Sequence, residues 1–170
     1  MTAVLSLFSK IVAEETDTVR TEEFLSIVKH YDGLISRICF GFARSRLEME
    51  DYRQDVFLNI WQALPRFRGE SSLKTWLYRI ALNTCVSTIR KAPRPYDSTL
   101  PEIIDEDQQR RIQLMELHDM ISLLPPTDKA ILLLWLEETS YEDIAEITGL
   151  PRNTVATRLK RAKEKLMKLR

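Results

Sequence analysis

Apolar residues recur with the period of an α-helix along nearly the whole chain. Between 51 and 64, and again between 72 and 91, they fall at steps of three and four that place them on one face of a helix. Ser71 or Ser72 is available to cap the start of the second of these helices. Further apolar stripes predict one helix around 24–31, another after Gly33, and another from Ile112 that ends before Pro125. The pattern therefore predicts an all-α protein.

One stretch without helical period divides the chain. Residues 92–101 contain three prolines, which remove backbone donors and disfavour the helical conformation in the residue before each of them. An acidic run continues through Asp107. We expect two small helical domains joined by a flexible linker. The predicted boundaries are an N-terminal extension of open role at 1–20, a helical bundle at 21–92, a Pro-rich acidic linker at 93–111 and a second helical domain at 112–170.

Composition excludes several classes of protein. The chain has 170 residues, of which 44% are hydrophobic and 29% are charged, as in globular proteins. Only 4 glycines occur, none at the spacing of a P-loop or a dinucleotide-binding fingerprint. We find no run long enough for a membrane span and no signal-peptide pattern, so we expect a cytoplasmic protein without direct membrane insertion. Cys39 and Cys85 lie in apolar helical patterns and are predicted to be small buried residues.

Charge is balanced in total but not along the chain. The formal net charge is zero, yet residues 20–92 carry +4 and residues 151–170 carry +7, while 93–119 and 120–150 carry −4 and −5. Two separate basic segments are typical of nucleic-acid binding. A solvated, lysine-rich final helix is the alternative that composition leaves open.

The last fifty residues contain the most specific motif. Ser140 is placed to cap a short helix, Gly149 suits a left-handed turn and Pro151 suits the start of a new helix. A helix, a glycine-containing turn and a second helix make the helix-turn-helix arrangement, whose second helix enters the major groove of DNA. A plain helical hairpin is the alternative. The agreement of turn residues, apolar spacing and a basic face favours the DNA-binding interpretation.

Polar side chains on the second helix of this motif predict two kinds of contact. Those at its start suit phosphates, and those on its exposed face suit base edges. The first group is Arg152, Asn153 and Thr154; the second is Thr157, Arg158, Lys160 and Arg161. Lys163, Lys165 and Lys168 are expected to add non-specific attraction or solubility only.

The segment 66–91 is also basic, with six cationic residues against the single acid Glu70. Aromatic residues are interleaved with these cations. Cations that follow a backbone, together with aromatic faces and amides, suit single-stranded nucleic acid. Phe67 and Asn83 are the best candidates for handling an unstacked base, whereas Trp76 is expected to lie mainly in the core.

No catalytic or metal site is predicted. The acids Glu48, Glu50, Asp51 and Asp55 cluster, but the only two histidines, His30 and His118, form no Glu-x-x-His pair of the kind used in bundle metal sites. We expect the acids to form a docking or solvated face and both histidines to lie on helix surfaces. The spacing suggests no nucleophile–base pair, so we predict neither an enzyme nor a cofactor.

Two long motifs carry a resemblance to a known family. The segments Gln54–Trp61 and Phe67–Ala81 resemble the first conserved domain of bacterial sigma factors. The segment from Leu124 through Tyr141–Ala145 to Thr154–Leu166 resembles their last domain. The short linker leaves no room for a middle domain, and that arrangement resembles the extracytoplasmic-function (ECF) group.

The resemblance implies a dissociable promoter-specificity subunit of RNA polymerase. It implies that helix 51–64 docks on the clamp helices of the largest polymerase subunit, that segment 66–91 melts the −10 element and holds a flipped base, and that helix 152–163 reads the −35 element. Promoter DNA, core polymerase and an anti-sigma factor are the implied partners. The implied docking residues are Asp51, Gln54, Asp55, Leu58 and Trp61; the −10 residues are Phe67, Arg68, Ser71, Lys74, Arg79 and Asn83.

Two positions depart from the family pattern, and one other function stays open. Ser87 stands where the family commonly has an acid, and Lys160 occupies a recognition position that varies widely. The alternative function is a free-standing helix-turn-helix regulator with an N-terminal helical sensor domain. Such a regulator needs no strand-binding segment at 66–91 and binds its operator tightly as a symmetric dimer.

Overall fold

The computed structural model describes residues 18–91 and 108–169, and within these ranges it contains helices and no strand. This confirms the all-α prediction. No helix in the described ranges is long and apolar enough to cross a membrane. Most of the predicted linker and N-terminal extension lies outside these ranges, although the second set of helices already begins at Gln108.

The helices are α1 (Thr18–Phe42), α2 (Arg46–Ala63), a 3-10 turn (Leu64–Arg66), α3 (Leu73–Lys91), α4 (Gln108–Ser122), α5 (Pro126–Leu136), α6 (Tyr141–Thr148) and α7 (Arg152–Leu169).

Helix α1 is continuous, and the prediction of two helices separated at Gly33 is wrong. A glycine inside a helix costs about 1 kcal/mol relative to alanine, which packing readily offsets. Here the buried residues Phe24 and Ile27 before Gly33, and Ile35 and Ile38 after it, all face one core. A single tertiary interface therefore overrides the local preference.

Local side chains end and begin the helices as the sequence predicts. Ser72 Oγ accepts the backbone N–H of Thr75 at 3.0 Å at the start of α3. Ser140 Oγ accepts the N–H of Asp143 at 3.1 Å at the start of α6. Gly149 ends α6 with a φ of 70°, the left-handed conformation that favours glycine. The turn between α6 and α7 therefore has the predicted chemistry.

Helices α1, α2 and α3 pack into an N-terminal lobe (residues 18–91). An aromatic group lies at one end of its core, where Phe24 meets Phe57 and Trp61 edge-on, with ring centroids 6.3 and 5.3 Å apart. Cys39 and Cys85 are fully buried, as predicted. The rest of this core lies between the three helices and combines aliphatic residues with the buried rings of Phe42, Tyr52 and Tyr78.

Helices α4–α7 form a C-terminal lobe (residues 108–169) around a smaller core. Leu134 on α5, Ile144 on α6, and Val155 and Leu159 on α7 are at most 1% exposed. Gly149 lets α6 and α7 meet at the angle that buries these residues together. The helix-turn-helix arrangement predicted for this segment is confirmed by the order and packing of α6 and α7.

The two lobes contact each other, and the contact corrects the prediction for His118. This histidine is 3% exposed rather than on a helix surface. Its Nε2 lies 3.1 Å from the Phe40 carbonyl oxygen and 3.0 Å from that of Ala43, so Nε2 must carry the hydrogen. Phe40 lies in the last turn of α1 and Ala43 directly follows that helix, where the last carbonyls lack partners inside the helix. His30 is exposed, as predicted.

Candidate nucleic-acid interface

The connection between α2 and α3 borders an open cavity of about 510 Å³. Pro65 lies inside the 3-10 turn that begins at Leu64, Phe67 then takes an extended backbone, and Gly69 has a φ of 70°. These changes of direction fold the connection back over the start of α3. The residues that line the cavity are Pro65, Arg66, Phe67, Arg68, Glu70, Ser71, Trp76 and Arg79.

Two aromatic rings and three guanidinium groups meet at this cavity. The rings of Phe67 and Trp76 are 4.8 Å apart and inclined by 39°. Trp76 was predicted to lie mainly in the core. It packs against the core and also lines the cavity. Arg66 was not among the predicted site residues, although its place in the basic run 66–91 pointed to it. An open cavity with aromatic faces and cations at its rim can hold an unstacked base and its phosphate.

The structure gathers only part of the predicted −10 set. Phe67, Arg68, Ser71 and Arg79 line the cavity. Asn83 is exposed one helical turn beyond Arg79, which places it on a neighbouring position of the same face of α3. Lys74 does not line the cavity; its ammonium lies 5.8 Å from the ring of Tyr78.

Arg79 also contacts the other lobe. Its Nη2 donates to the carbonyl oxygen of Glu146 on α6 at 2.8 Å, and the carboxylate of Glu146 lies 3.3 Å away. The same guanidinium thus borders the cavity and joins the two lobes. A phosphate at this rim has to compete with the Glu146 contact.

A second, smaller groove of about 310 Å³ runs along α2. Its lining includes the predicted docking residues Asp51, Gln54 and Asp55, together with Arg44, Glu48, Tyr52 and Thr88. Leu58 is half-buried outside this groove. Trp61 is covered by α1, because the guanidinium of Arg20 lies 4.0 Å from its ring centroid. Within the described ranges no group of acids, histidines or cysteines is arranged to hold a metal ion.

Helix α7 presents a polar face opposite its buried one. Val155, Leu159 and Ala162 are buried, whereas Asn153, Thr157, Lys160 and Arg161 are exposed. These four residues follow steps of four, three and one, which place them on a single face. The side chain of Thr157 donates to the carbonyl oxygen of Asn153 at 2.8 Å.

Residues at the start of α7 are held by α6. The guanidinium of Arg152 binds the carboxylate of Glu142 and lies 5.6 Å from the ring of Tyr141. That guanidinium holds the pKa of Glu142 below its usual value. Thr154 is half-buried at the edge of the same turn. In the predicted phosphate-binding end of α7, Arg152 and Asn153 are therefore exposed, and Arg152, the single cation of that group, is already paired.

Other cations of α7 are used inside the lobe. Arg158 Nη1 lies 2.7 Å from Asp128 Oδ1 at the start of α5. The ammonium of Lys163 lies 3.3 Å from the ring centroid of Trp135 on α5. Lys165 donates to the carbonyl oxygen of Leu123 at 3.0 Å. The sequence pattern separated Lys163 and Lys165 from the base-reading group, but it did not separate Arg158 from that group.

Comparisons with known proteins agree with this division into two lobes. The family model of sigma-70 region 2 matches residues 27–94, and that of sigma-70 region 4 matches residues 114–166. A solved structure of the sigma factor RpoE with the anti-sigma factor NepR from Bartonella quintana superimposes with a TM-score of 0.72 at 22% identity, covering 87% of this chain and 96% of that one. This likeness shows the fold.

Curated relatives cover nearly the same length. The RNA polymerase sigma-H factor of Pseudomonas aeruginosa is 32% identical, covering 84% of this chain and 83% of its own. The ECF RNA polymerase sigma-E factor of Haemophilus influenzae is 30% identical, covering 93% of both chains. These matches favour a sigma factor over a free-standing helix-turn-helix regulator. The chain belongs to the ECF group of RNA polymerase sigma factors.

Proposed function

We propose that the two lobes divide promoter recognition by the shape of the DNA that each one binds. The N-terminal lobe captures an unstacked base of the −10 element in the cavity between α2 and α3. The C-terminal lobe inserts the exposed face of α7 into the major groove of the −35 element. Each lobe thereby supplies one half of the promoter specificity of an ECF sigma factor.

The observation that carries this proposal is the cavity itself. It combines the ring pair Phe67–Trp76 with the guanidinium groups of Arg66, Arg68 and Arg79. Separating a base pair costs about 1.4 kcal/mol per step in lost stacking, and an aromatic contact to a captured base returns about 1–3 kcal/mol. Capture of one or two bases is therefore enough to offset local opening of the duplex.

The acidic groove on α2 supports docking to core polymerase. Asp51 and Asp55 are exposed there and Gln54 lines the same groove. Such a surface suits a basic partner of complementary shape. We assign the polymerase contact to these residues and to Leu58, and we keep Trp61 as a prediction because α1 covers part of its ring.

Partners, location and chemistry follow from this function. We propose core polymerase and promoter DNA as the working partners, the cytoplasm as the place of action, and an anti-sigma factor as the inhibitor. Similar folds support the last of these, since CnrH was solved with the cytosolic domain of CnrY and RpoE with NepR. The proposal assigns no catalytic step, metal or cofactor to this chain.

Permanganate footprinting of promoter opening tests the proposal. The full chain is reconstituted with core polymerase on a promoter that run-off transcription has identified among genomic fragments. Phe67→Ala is expected to reduce the reactivity of unpaired thymines by about ten-fold, because it loses a stacking contact of about 1–3 kcal/mol to an unstacked base. Asn83→Ala, on the same face of α3 as Arg79, is expected to reduce it as well, because it loses an amide that can hydrogen-bond to the base.

Arg68→Ala and Arg90→Ala form a matched pair for the same measurement. Both side chains are exposed arginines, but only Arg68 lines the cavity. Loss of opening with Arg68→Ala and normal opening with Arg90→Ala supports the cavity. Equal opening by all the cavity variants would reject it.

A further inference from the structure

The basic face of α7 contains two groups of cations with different surroundings. Lys160 and Arg161 are exposed and project from the side opposite the lobe core. Arg158 and Lys163 are half-buried, and both are engaged by α5. Position in the basic pattern therefore does not by itself identify a DNA-reading residue.

The two contacts with α5 lie on opposite flanks of the buried face of α7. Residues 158 and 163 are five apart, which separates them by about 140° around the helix axis. Val155, Leu159 and Ala162 lie between them, in the core. A helix held on both flanks cannot roll about its axis without breaking one contact.

Rotation of α7 decides whether its exposed side chains reach base edges. A roll of about 20° moves a side-chain tip that lies about 6 Å from the axis by about 2 Å. That displacement exceeds the range over which a hydrogen bond to a base keeps its geometry. The orientation of α7 therefore matters as much as the identity of the residues on it.

Asp128 is well placed to supply the fixed end of one contact. It lies in the first turn of α5, where a carboxylate is stabilised by the helix dipole. Its side chain is 19% exposed, while that of Arg158 is 41% exposed. The bond spans 30 residues of sequence and joins the first helix of the packed trio α5–α7 to the last.

We propose that Arg158 is a positioning residue, which acts through Asp128 to set the rotation of α7, and that base reading is done by the neighbouring exposed residues Asn153, Thr157, Lys160 and Arg161. This assignment rests on the proposed function of α7 as the −35 reader. It replaces the expectation that Arg158 itself contacts a base. Selectivity for the −35 sequence then depends on an acid of α5 that is not among the DNA-facing side chains of α7.

The test measures binding by the full chain in complex with core polymerase. Duplexes preferred by the wild type are selected from a library randomised over the upstream element, and each variant is compared on the selected duplex and on a scrambled one. Asp128→Asn and Arg158→Ala are each expected to lower the preference by about five-fold or more. The loss with Asp128→Asn is diagnostic, since removing an acid strengthens general attraction to DNA.

Charge exchange separates positioning from direct contact. The double variant Asp128→Arg with Arg158→Asp restores the ion pair in reverse and is expected to recover part of the preference, since an arginine in the first turn of α5 loses the dipole stabilisation that Asp128 has. Glu116→Gln, an exposed acid on α4, makes the same change of charge as Asp128→Asn and is expected to leave the preference unchanged. Arg158→Ala is also expected to keep the wild-type slope of the logarithm of the binding constant against the logarithm of salt concentration. A residue that contacts a phosphate would lower the magnitude of that slope by about one when it is removed.

Several results would overturn the assignment. Normal preference with Asp128→Asn, a charge exchange no better than the single changes, or a reduced salt slope with Arg158→Ala each shows that Arg158 contacts DNA directly or has no role. A wild-type complex that selects no sequence from the library refutes the proposed function of α7 instead. Far-UV circular dichroism of each variant separates these results from unfolding.

Discussion

The N-terminal lobe offers DNA a cavity, whereas the C-terminal lobe offers a projecting helix. The cavity is built by an irregular connection that folds over Trp76, while the exposed face of α7 is simply the side opposite the core. An unstacked base needs a concave site with aromatic walls, and a major groove needs a convex rod. The same all-α architecture supplies both, because the irregular connection between α2 and α3 makes the concave site and the exposed side of a regular helix makes the convex one.

The lobes also differ in how much packing supports each site. The cavity borders a large core with three aromatic rings at one end, while α7 depends on a few aliphatic residues and on contacts with α5. The −35 site should therefore be more sensitive than the −10 site to changes in its own core.

Truncation of a core residue on α7 is expected to have the largest effect. Leu159 is 1% exposed, so Leu159→Ala should cost about 2–5 kcal/mol of stability in the C-terminal lobe. Urea unfolding followed through Trp135, with Trp61 and Trp76 reporting on the other lobe, measures where the loss falls. Met167→Ala, at a position 70% exposed on the same helix, is the control. An equal loss of stability in both lobes would contradict the expectation that Leu159 supports the C-terminal lobe alone.

The junction of the lobes should respond to pH through Lys129. This buried lysine lies 5.5 Å from the ring of Phe42, and desolvation lowers its pKa from 10.5 to about 8. Between these two values the unfolded chain binds more protons than the folded one, so stability should rise with pH. We expect a gain of about 2 kcal/mol between pH 7 and 9.5 from this group.

The measurement is the difference between wild type and Lys129→Met in the free energy of unfolding at the two pH values. The methionine variant removes the titrating group and keeps most of the side-chain volume. A pH dependence shared equally by both proteins would show that Lys129 is not its source.

Loss of a single exposed arginine should weaken one half of promoter recognition only. Arg161→Ala is expected to cost about 1–3 kcal/mol in binding the selected upstream duplex, with promoter opening preserved once the complex has formed. Lys168→Ala, exposed in the last turn of α7, serves as a control for general attraction. An equal effect of the two changes on sequence preference would argue against a reading role for Arg161.

The ion pair between the lobes should contribute least. The side chains of Arg79 and Glu146 are 37% and 49% exposed, and such pairs contribute about 0–1 kcal/mol. Glu146→Gln is expected to change stability by less than that, since the bond from Arg79 to the backbone carbonyl remains. Denaturant unfolding at low and high salt provides the comparison. A loss well above about 1 kcal/mol would show that this pair dominates the junction.

Features that depend on neighbours in sequence were predicted well. The caps at Ser72 and Ser140 and the left-handed Gly149 each act within four residues, and the apolar stripe of α7 is read directly from its spacing. Continuity of α1 across Gly33 was missed because it depends on a face shared with the other helices of the lobe.

Contacts across long separations were not accessible to the same reasoning. His118 looked like a surface residue because its partners, the carbonyls of Phe40 and Ala43, lie 78 and 75 positions away. Arg158 looked like its basic neighbours because Asp128 is brought to it only when α5 packs on α7.

The amino-acid sequence by itself determined the helices, their caps, the helix-turn-helix and the two basic segments, since each is set by short-range periodicity, turn chemistry and charge. Tertiary structure decided which cations are free for DNA, which are paired within a lobe, and how Phe67 meets Trp76 at the cavity. The physical reason is that pairing and burial depend on distances between helices, and those distances exist only after the chain has packed.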